Sequence, residues 1–313
     1  MTDIVVAGSF VVGMTVRLPR MPYPGETLVA DLFDLGVGGK GTNLAVAAAR
    51  QGRQVAIIAR VGDDDFAAMA YDLYRREGID SRGVVRTPGE KTAVGLVYLQ
   101  PNGENTIGLY RGANWQLTPA DIEPHIAPHH DARVLATQLE IPDEAVAAAV
   151  RMARKQGMRV ILNPAPARAL PAAILREVDI LTPNEGEARV LAGLRADDDA
   201  TDIVEIARAL LAQGPRTVIV TRGAHGCLVV TSDGDPQAIP AHPVQPVDTV
   251  GAGDAFNGGL AAALAAGMKL PDAARWANIT AALSTRAVGA VGGLPAHSEV
   301  ADLWRRTAAT GSQ

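Results

Sequence analysis

The sequence has one cysteine in 313 residues, Cys227. This excludes an internal disulfide and suits a reducing cytoplasm. Cys227 lies in the apolar run CLVV and reads as a buried small hydrophobe rather than a catalytic thiol. There is no excess of positive charge: the net charge is −5, so nucleic acid and anionic membranes are not expected partners. No apolar run reaches the roughly 18 residues that a membrane-spanning helix needs, and the alanine-rich stretch 260–268 is far too short. The first residues, MTDIVVAGSF, carry neither a basic segment nor an apolar stretch of signal-peptide length, which points to a cytoplasmic protein. Internal repeats are absent, and lysine is scarce at four positions: Lys40, Lys91, Lys155 and Lys269. A lysine inside a glycine loop therefore draws notice. What is present, 48% apolar and 20% charged residues, is ordinary for a globular chain able to bury a sizeable core.

Short apolar runs alternate with helical patterns. IVVAGSF (4–10), VAIIARVG (55–62), RVLATQL (133–139), RVILNPAP (159–166), DILTPNE (179–185) and TVIVTRG (217–223) read as buried strands. TNLAVAAARQG, DDFAAMAYDLYRREG, EAVAAAVRMARKQG and TDIVEIARALLAQG read as helices ending in glycine. This alternation predicts one α/β domain over 1–313, a predominantly parallel sheet flanked by helices, with ligands at the carboxyl ends of the strands. Two stretches break the rhythm. Residues 13–35 hold three prolines and no crossover helix, and residues 92–110 alternate around a PNGEN turn. Both are expected to form a small β-sheet lid able to shield a ligand from water. The last residues, TAATGSQ, read as a frayed tail.

Several strand-end segments carry chemistry. GVGGKGTN (36–43) is not a P-loop, because Lys40 is followed by Gly41 and Asp34 stands where the first glycine should be. It remains a glycine turn into a helix, with Lys40 and Asn43 able to hydrogen-bond hydroxyls. In VDTVGAGDAFNGG (247–259), Gly251, Ala252 and Gly253 precede a helix whose N–H groups and dipole would attract an anion. Asp254 then falls in the first turn, either as a helix-dipole partner or as a base for a hydroxyl attacking phosphorus. TPNEGE (182–187) fits a capping pair, Asn184 with Glu187, and equally a site for phosphate and hydrated Mg²⁺. TRGAHG (221–226) and NPAPAR (163–168) are further strand-end loops. The pair His129–His130 lacks a third ligand, and the runs Asp63–Asp65 and Asp197–Asp199 read as solvated loop charge.

In this order, GGKGTN, NPAPAR, TPNEGE, TRGAHG and DTVGAGDAFNGG resemble the ribokinase-like (PfkB-type) carbohydrate kinases, over about residues 3–297. The resemblance implies a ribokinase-like α/β fold with a β-lid, transferring the γ-phosphoryl of ATP to a sugar hydroxyl. By position it implies Asp254 as base and Gly251, Ala252 and Gly253 as the anion hole. Gly39, Lys40, Asn43 and Glu140 would contact the sugar, and Asn184 and Glu187 would support Mg²⁺ and phosphate. Thr221, Gly223, Gly226 and Asn278 would lie along the nucleotide. Asp248 and Val250 match the start of a monovalent-cation loop, which implies K⁺ activation, although Ser284 to Gly293 departs from the pattern. Related lids pair into homodimers, and LVYL (96–99) would supply that edge.

One departure bears on the substrate. Ribokinases carry Asn-x-Asp after the first strand to grip ribose hydroxyls, whereas GSFVVGMT places Val11 and Gly13 there, and 4–30 contains no Asn or Asp. A site that lacks such partners discriminates against the hydroxyls they would bind. The expected acceptor is thus a sugar or sugar-like molecule, with ribose itself disfavoured against a deoxy sugar, a larger or differently oriented sugar, or a nucleoside resting on Val11 and Val12. A nucleoside kinase and a non-catalytic nucleotide or sugar sensor are the alternatives. A dinucleotide-dependent dehydrogenase is excluded because GSFVVG has only two of the required glycines.

Overall fold

Alternating apolar segments and amphipathic helices build two sheets in this computed structural model, which describes residues 1–101 and 104–310. In chain order, β1 (Ile4–Ala7) leads to β2 (Val11–Arg17), β3 (Leu32–Gly38), α1 (Lys40–Arg50), β4 (Val55–Gly62), α2 (Phe66–Arg76) and β5 (Asp80–Thr87). Then come β6 (Ala93–Leu99), β7 (Asn105–Tyr110), α3 (Pro119–Ile126), β8 (Val134–Thr137), α4 (Asp143–Lys155) and β9 (Arg159–Leu162). After these follow α5 (Ala172–Leu175), β10 (Ile180–Leu181), α6 (Glu185–Leu191), α7 (Ile203–Leu211), β11 (Thr217–Thr221), β12 (Cys227–Thr231) and β13 (Gln237–Ile239). Three helices close the chain: α8 (Ala252–Ala265), α9 (Leu270–Ser284) and α10 (His297–Thr310).

The larger sheet has the order β13-β12-β11-β10-β9-β8-β1-β4-β5. It is parallel from β5 to β11 and antiparallel at β12 and β13, so the expected parallel sheet carries an antiparallel edge. Because successive strand residues point to opposite faces, β1 serves two cores. Ile4 and Val6 pack in one with Leu44 of α1, Leu260 of α8 and Ile279 of α9. Val5 and Ala7 pack in the other with Ile122 of α3, Val146 of α4 and Ile206 of α7. All four β1 residues are buried, so the strand reads as one continuous apolar run. The glycines expected to end helices do so: Gly52, Gly78 and Gly157 have φ of 79°, 67° and 75°, a region open to glycine at no steric cost.

The chain runs from β1 outward to β4 and β5, then returns to β8 on the other side of β1. That reversal opens a crevice at the carboxyl ends of β1 and β8, where ligands gather in open α/β sheets.

The second sheet, β3-β2-β6-β7, takes in the stretches 13–35 and 92–110 and starts slightly earlier, at Val11. Residues 102 and 103 of the PNGEN turn lie outside the described residues. Register fixes its two faces. Leu35, Met14 and Leu96 form one row and Phe33, Val16 and Tyr98 the next. On the opposite face Gly36, Gly13 and Gly95 form a row beside Gly38, Val11 and Ala93. Asp64, expected to be solvated, instead accepts hydrogen bonds from the Thr92 N–H (2.8 Å) and hydroxyl (2.7 Å). It ties the end of β4 to the strand entering the second sheet. The tail expectation is also corrected: α10 continues to Thr310, and 311–313 lie outside the described residues.

Candidate active site

The crevice collects side chains from the loops after five strands. Ser9 follows β1, Gln138 and Glu140 follow β8, Asn163 follows β9, Asn184 follows β10, and Thr221 ends β11. The N-termini of α1 and α8 enter the same space, bringing Lys40 and Asn43 against Asp254. The glycines of the first loop have a packing reason. A Cβ on Gly41 would lie 2.4 Å from Ser9 N and 2.6 Å from Gly8 Cα, and Gly39 adopts φ 94° against Val11 and Ser9. The close approach is backbone on backbone, so these glycines dock α1 onto the exit of β1 instead of admitting a ligand to the main chain.

Asp254 is 5% exposed in the first turn of α8. Its Oδ2 accepts from Asn43 Nδ2 at 2.8 Å and its Oδ1 from Asn163 Nδ2 at 3.5 Å. Burial pushes its carboxyl up to about 6, against the opposing pull of Lys40 and Asn43 and with the help of Glu140 and Glu187. Burial drags the Lys40 ammonium down, but Asp254, Glu140 and Glu187 together more than offset it, so its pKa stands above the usual lysine value. Asn43 Oδ1 is buried with no hydrogen-bond partner among the described residues. An orphaned buried acceptor beside a carboxyl of raised pKa leaves an unmet demand for a donor at this point of the crevice.

Glu140 is aimed by its neighbours. Its Oε2 accepts from Ser9 Oγ at 2.6 Å and from the Lys40 N–H at 2.9 Å, leaving Oε1 without a partner among the described residues. Ser9 is fully buried and itself accepts from Gln138 Nε2 at 3.0 Å and the Gly41 N–H at 3.2 Å. Nothing in the sequence singles out Ser9, Gln138 or Asn163. Each lies within a strand-end segment, but the contacts joining them span 91 to 131 residues and leave no local pattern.

The helix start before Asp254 fits an anion. Gly251 caps α8 at φ 79°. The N–H groups of Gly251 and Gly253 have no acceptor among the described residues, whereas that of Ala252 bonds Thr249 O at 3.2 Å. Asn257 braces this turn, donating to Gly253 O at 2.9 Å and accepting from Thr182 Oγ1 at 2.6 Å.

Asn184 and Glu187 form the expected capping pair. Asn184 Oδ1 accepts from the Glu187 N–H and Glu187 Oε2 from the Asn184 N–H, both at 2.8 Å. Glu187 Oε1 makes no bond among the described residues, and burial raises its pKa against the pull of the Asn184 N–H and Lys40. Thr221 pairs with Asn184 across a parallel bridge. Gly223 has φ 53° with nothing within 4 Å of a Cβ built there, so its edge is open. Gly226 and Asn278 serve the fold: a Cβ on Gly226 would lie 2.1 Å from Ile239 O, and Asn278 Nδ2 donates to Ile239 O and Pro240 O. Asp248 is a loop staple, accepting the N–H groups of Val250 and Gly289, each at 2.9 Å. Val250 itself is exposed. Val12 leaves the list of substrate contacts: it is fully buried in the core, since strand alternation turns it away from Val11. His129 bonds Thr2 Oγ1 and His130 faces Asp131, so the two rings diverge. Among the described residues no group of three or more His, Cys, Asp or Glu could hold a metal ion, and no helix is long and apolar enough to cross a membrane.

The profile for pfkB family carbohydrate kinase matches residues 1–297. The chain belongs to that family. Among relatives, a ribokinase of Haemophilus influenzae is 36% identical over 296 residues, 95% of this chain and 96% of the relative. A deoxyribokinase of Salmonella typhi is 38% identical over 257 residues, 82% of this chain and 83% of the relative. Among solved structures, Arabidopsis thaliana ribokinase complexed with ribose and ATP superposes with a TM-score of 0.89 at 29% identity, covering 97% of this chain and 99% of the other. The ribokinase-like fold read from the sequence is therefore the fold of this pfkB family member, with its mostly parallel sheet and small separate sheet.

Proposed function

We propose that this carbohydrate kinase moves the γ-phosphoryl of ATP to a hydroxyl of a sugar or sugar-like molecule other than ribose. The observation that carries it is the buried pair Asp254 and Asn43: a carboxyl held near pH 6 beside an acceptor oxygen that awaits a donor. The acceptor's hydroxyl proton passes to Asp254 as its oxygen attacks the γ-phosphorus, and the bond to the β-phosphate oxygen breaks to release ADP. Lys40 and the free N–H groups of Gly251 and Gly253 face the charge that develops on the phosphoryl oxygens. Asn43 Oδ1 and Glu140 Oε1 orient the sugar, and Gly39 holds the turn behind them. Mg²⁺ neutralises triphosphate charge when bound; the free oxygen of Glu187 and the Asn184 turn are where its water shell fits. The nucleotide lies along Thr221 and the open edge of Gly223, with Gly226 and Asn278 shaping that wall. The loop that Asp248 staples, with Val250, would hold K⁺, which would add a fixed positive charge beside the anion-binding turn.

The second sheet serves as a lid, and its glycine row gives the acceptor side unusual room. That room favours a nucleoside, or a sugar with a bulky substituent, as the second reading. A coupled ADP-release assay over sugars, deoxy sugars and nucleosides, with Mg²⁺ and either K⁺ or tetramethylammonium, tests all of this. At least one acceptor is expected to stimulate ADP formation well above ribose, with a further gain from K⁺. ATP binding without any stimulation would favour a sensor and end the kinase reading.

The lid's other face carries Phe33 (65% exposed), Leu35 (41%) and Leu96 (42%) in adjoining rows, a patch suited to pairing with a second copy. Light scattering at micromolar concentration is expected to give twice the 32.6 kDa chain mass, and Phe33→Glu with Leu35→Glu to halve it. A parent chain already at 32.6 kDa would remove the homodimer. Catalysis in the cytoplasm, where ATP is made, agrees with the unpaired Cys227.

A further inference from the structure

Helix α8 carries one polar side chain beyond Asp254. From Ala255 to Ala265 every other residue is Gly, Ala, Leu or Phe, yet Asn257 sits among them only 1% exposed. A buried amide is unfavourable unless both of its ends are bonded, and an aliphatic residue would avoid that demand. Here both ends are bonded. Nδ2 donates to Gly253 O at 2.9 Å, and Oδ1 accepts from Thr182 Oγ1 at 2.6 Å. Thr182 is itself buried, so the pair is shielded from solvent.

The two residues stand on different walls of the crevice. Gly253 O belongs to the peptide leading into Asp254, in the first turn of α8. Thr182 follows β10 and lies two residues before Asn184, which caps α6 together with Glu187. The Thr182 N–H donates to Leu162 O at 3.0 Å, and the next residue, Asn163, reaches Asp254 Oδ1 at 3.5 Å. The Thr182 hydroxyl lies 3.2 Å from Leu162 O as well, but it has one proton to donate and the contact with Asn257 is the shorter. The body of α8 is held by packing: a Cβ on Gly258 would lie 2.4 Å from Ala47 Cβ of α1, and one on Gly259 would lie 2.7 Å from Thr280 Oγ1 of α9. That packing fixes the helix against α1 and α9, and the Thr182–Asn257 bond ties its first turns to the exit of β10.

We propose that Thr182 and Asn257 are positioning residues for phosphoryl transfer: their shielded hydrogen bond fixes the turn bearing Gly253 and Asp254 relative to the turn bearing Asn184 and Glu187. The inference rests on the reading of Asp254 as base. The first turn then offers the base and the anion-binding N–H groups, and the second faces phosphate and hydrated Mg²⁺. In-line transfer needs both turns at one spacing, and a misplacement on the order of 1 Å costs about 10²-fold in rate. Each substrate meets groups within its own turn, so loosening the link lowers turnover while leaving ground-state binding in place.

Steady-state kinetics and thermal melting of the full chain test it, with ATP, Mg²⁺ and the fastest acceptor among ribose, 2-deoxyribose and the other members of the panel. Thr182→Val keeps the shape and removes the donor; kcat is expected to fall about 10–100-fold, with KM for ATP and for the acceptor within about twofold of the parent chain. Thr182→Ser keeps the donor and should hold kcat within about threefold. Thr182→Val with Asn257→Leu replaces both partners by aliphatic groups of similar shape, a change that is nearly neutral or stabilising for a buried pair. Its melting temperature is expected to match or exceed that of the parent chain while kcat stays as low as in Thr182→Val. A pair that only supports the fold would lose activity in step with stability, so this split separates the two roles. The double variant also keeps the test valid if Thr182→Val, with Asn257 Oδ1 orphaned, does not fold. A kcat within about threefold of the parent chain in the double variant, a loss carried by KM in place of kcat, or Thr182→Ser as slow as Thr182→Val would each overturn the proposal. Asp254→Asn tells its failure from that of the underlying reading: full activity in that variant removes the base and this proposal together, whereas its loss beside an active double variant removes the positioning role alone.

Discussion

Asp254→Asn is expected to lower kcat for the preferred acceptor by about 10²–10⁴-fold, the range for removing a general base. Its melting temperature at pH 8 should be no lower than that of the parent chain. The two expectations rest on the same burial. Asn is isosteric, keeps one acceptor oxygen for Asn43 Nδ2, and cannot take a proton from a hydroxyl. The folded-state pKa of Asp254 is raised, from 3.8 to about 6. A raised value means that its contribution to stability is fully present below the unfolded pKa and is lost as pH rises through about 6. At pH 8 the parent chain therefore carries an ionised carboxylate in a buried place, and Asn removes that cost. Activity runs the other way, because a base works only when ionised. kcat/KM should climb with pH to a shoulder near 6 and then level off. A profile flat from pH 5 to 8, or a loss below about tenfold in Asp254→Asn, would take the base role from Asp254.

How far the sequence discloses this site depends on how local each interaction is. The strand VAIIARVG is found at Val55–Gly62 because its burial on both faces makes an apolar run interrupted only by Arg60. The stretch DILTPNE yields only Ile180–Leu181, since Pro183 and the capping geometry of Asn184 end the strand early. β5, reading DSRGVVRT, escapes notice because its polar half hides the pattern. β12 and β13 are short and antiparallel, with only CLVV to mark them. The same contrast holds within the crevice. Asp254 announces itself by its place after three residues of a glycine turn. Ser9 cannot, because its importance comes from a carboxylate 131 positions away. Gly39 and Gly41 look like a ligand cradle in sequence, and only the packing of α1 on the exit of β1 shows what they accommodate.

The other large effect concerns the acceptor, and it should follow from restoring two side chains. Val11→Asn with Gly13→Asp is expected to raise kcat/KM for ribose by at least about tenfold, as one or two hydrogen bonds to charged or amide groups supply about 1–3 kcal/mol. It should lower kcat/KM for the preferred acceptor of the parent chain. Positions 11 and 13 share one face of β2, in register with Gly38 and Gly36 of β3, and Gly38 adjoins Asn43. The substitutions are sterically open: a Cβ on Gly13 meets nothing nearer than Gly36 O at 4.0 Å. Neither position has a left-handed backbone, so no strain opposes them. In the parent chain the row Gly36, Gly13, Gly95 leaves a notch beside Val11, where positions 11 and 13 themselves offer a hydroxyl no side-chain partner. On the proposed reading a deoxy sugar would lose less there than ribose, whose hydroxyls would lie without the partners that Asn and Asp would supply at 11 and 13. Steady-state kinetics on ribose and on the panel's preferred acceptor decide the matter. If the parent chain already uses ribose as well as any other acceptor, or the double variant leaves ribose unchanged, Val11 and Gly13 do not set the specificity.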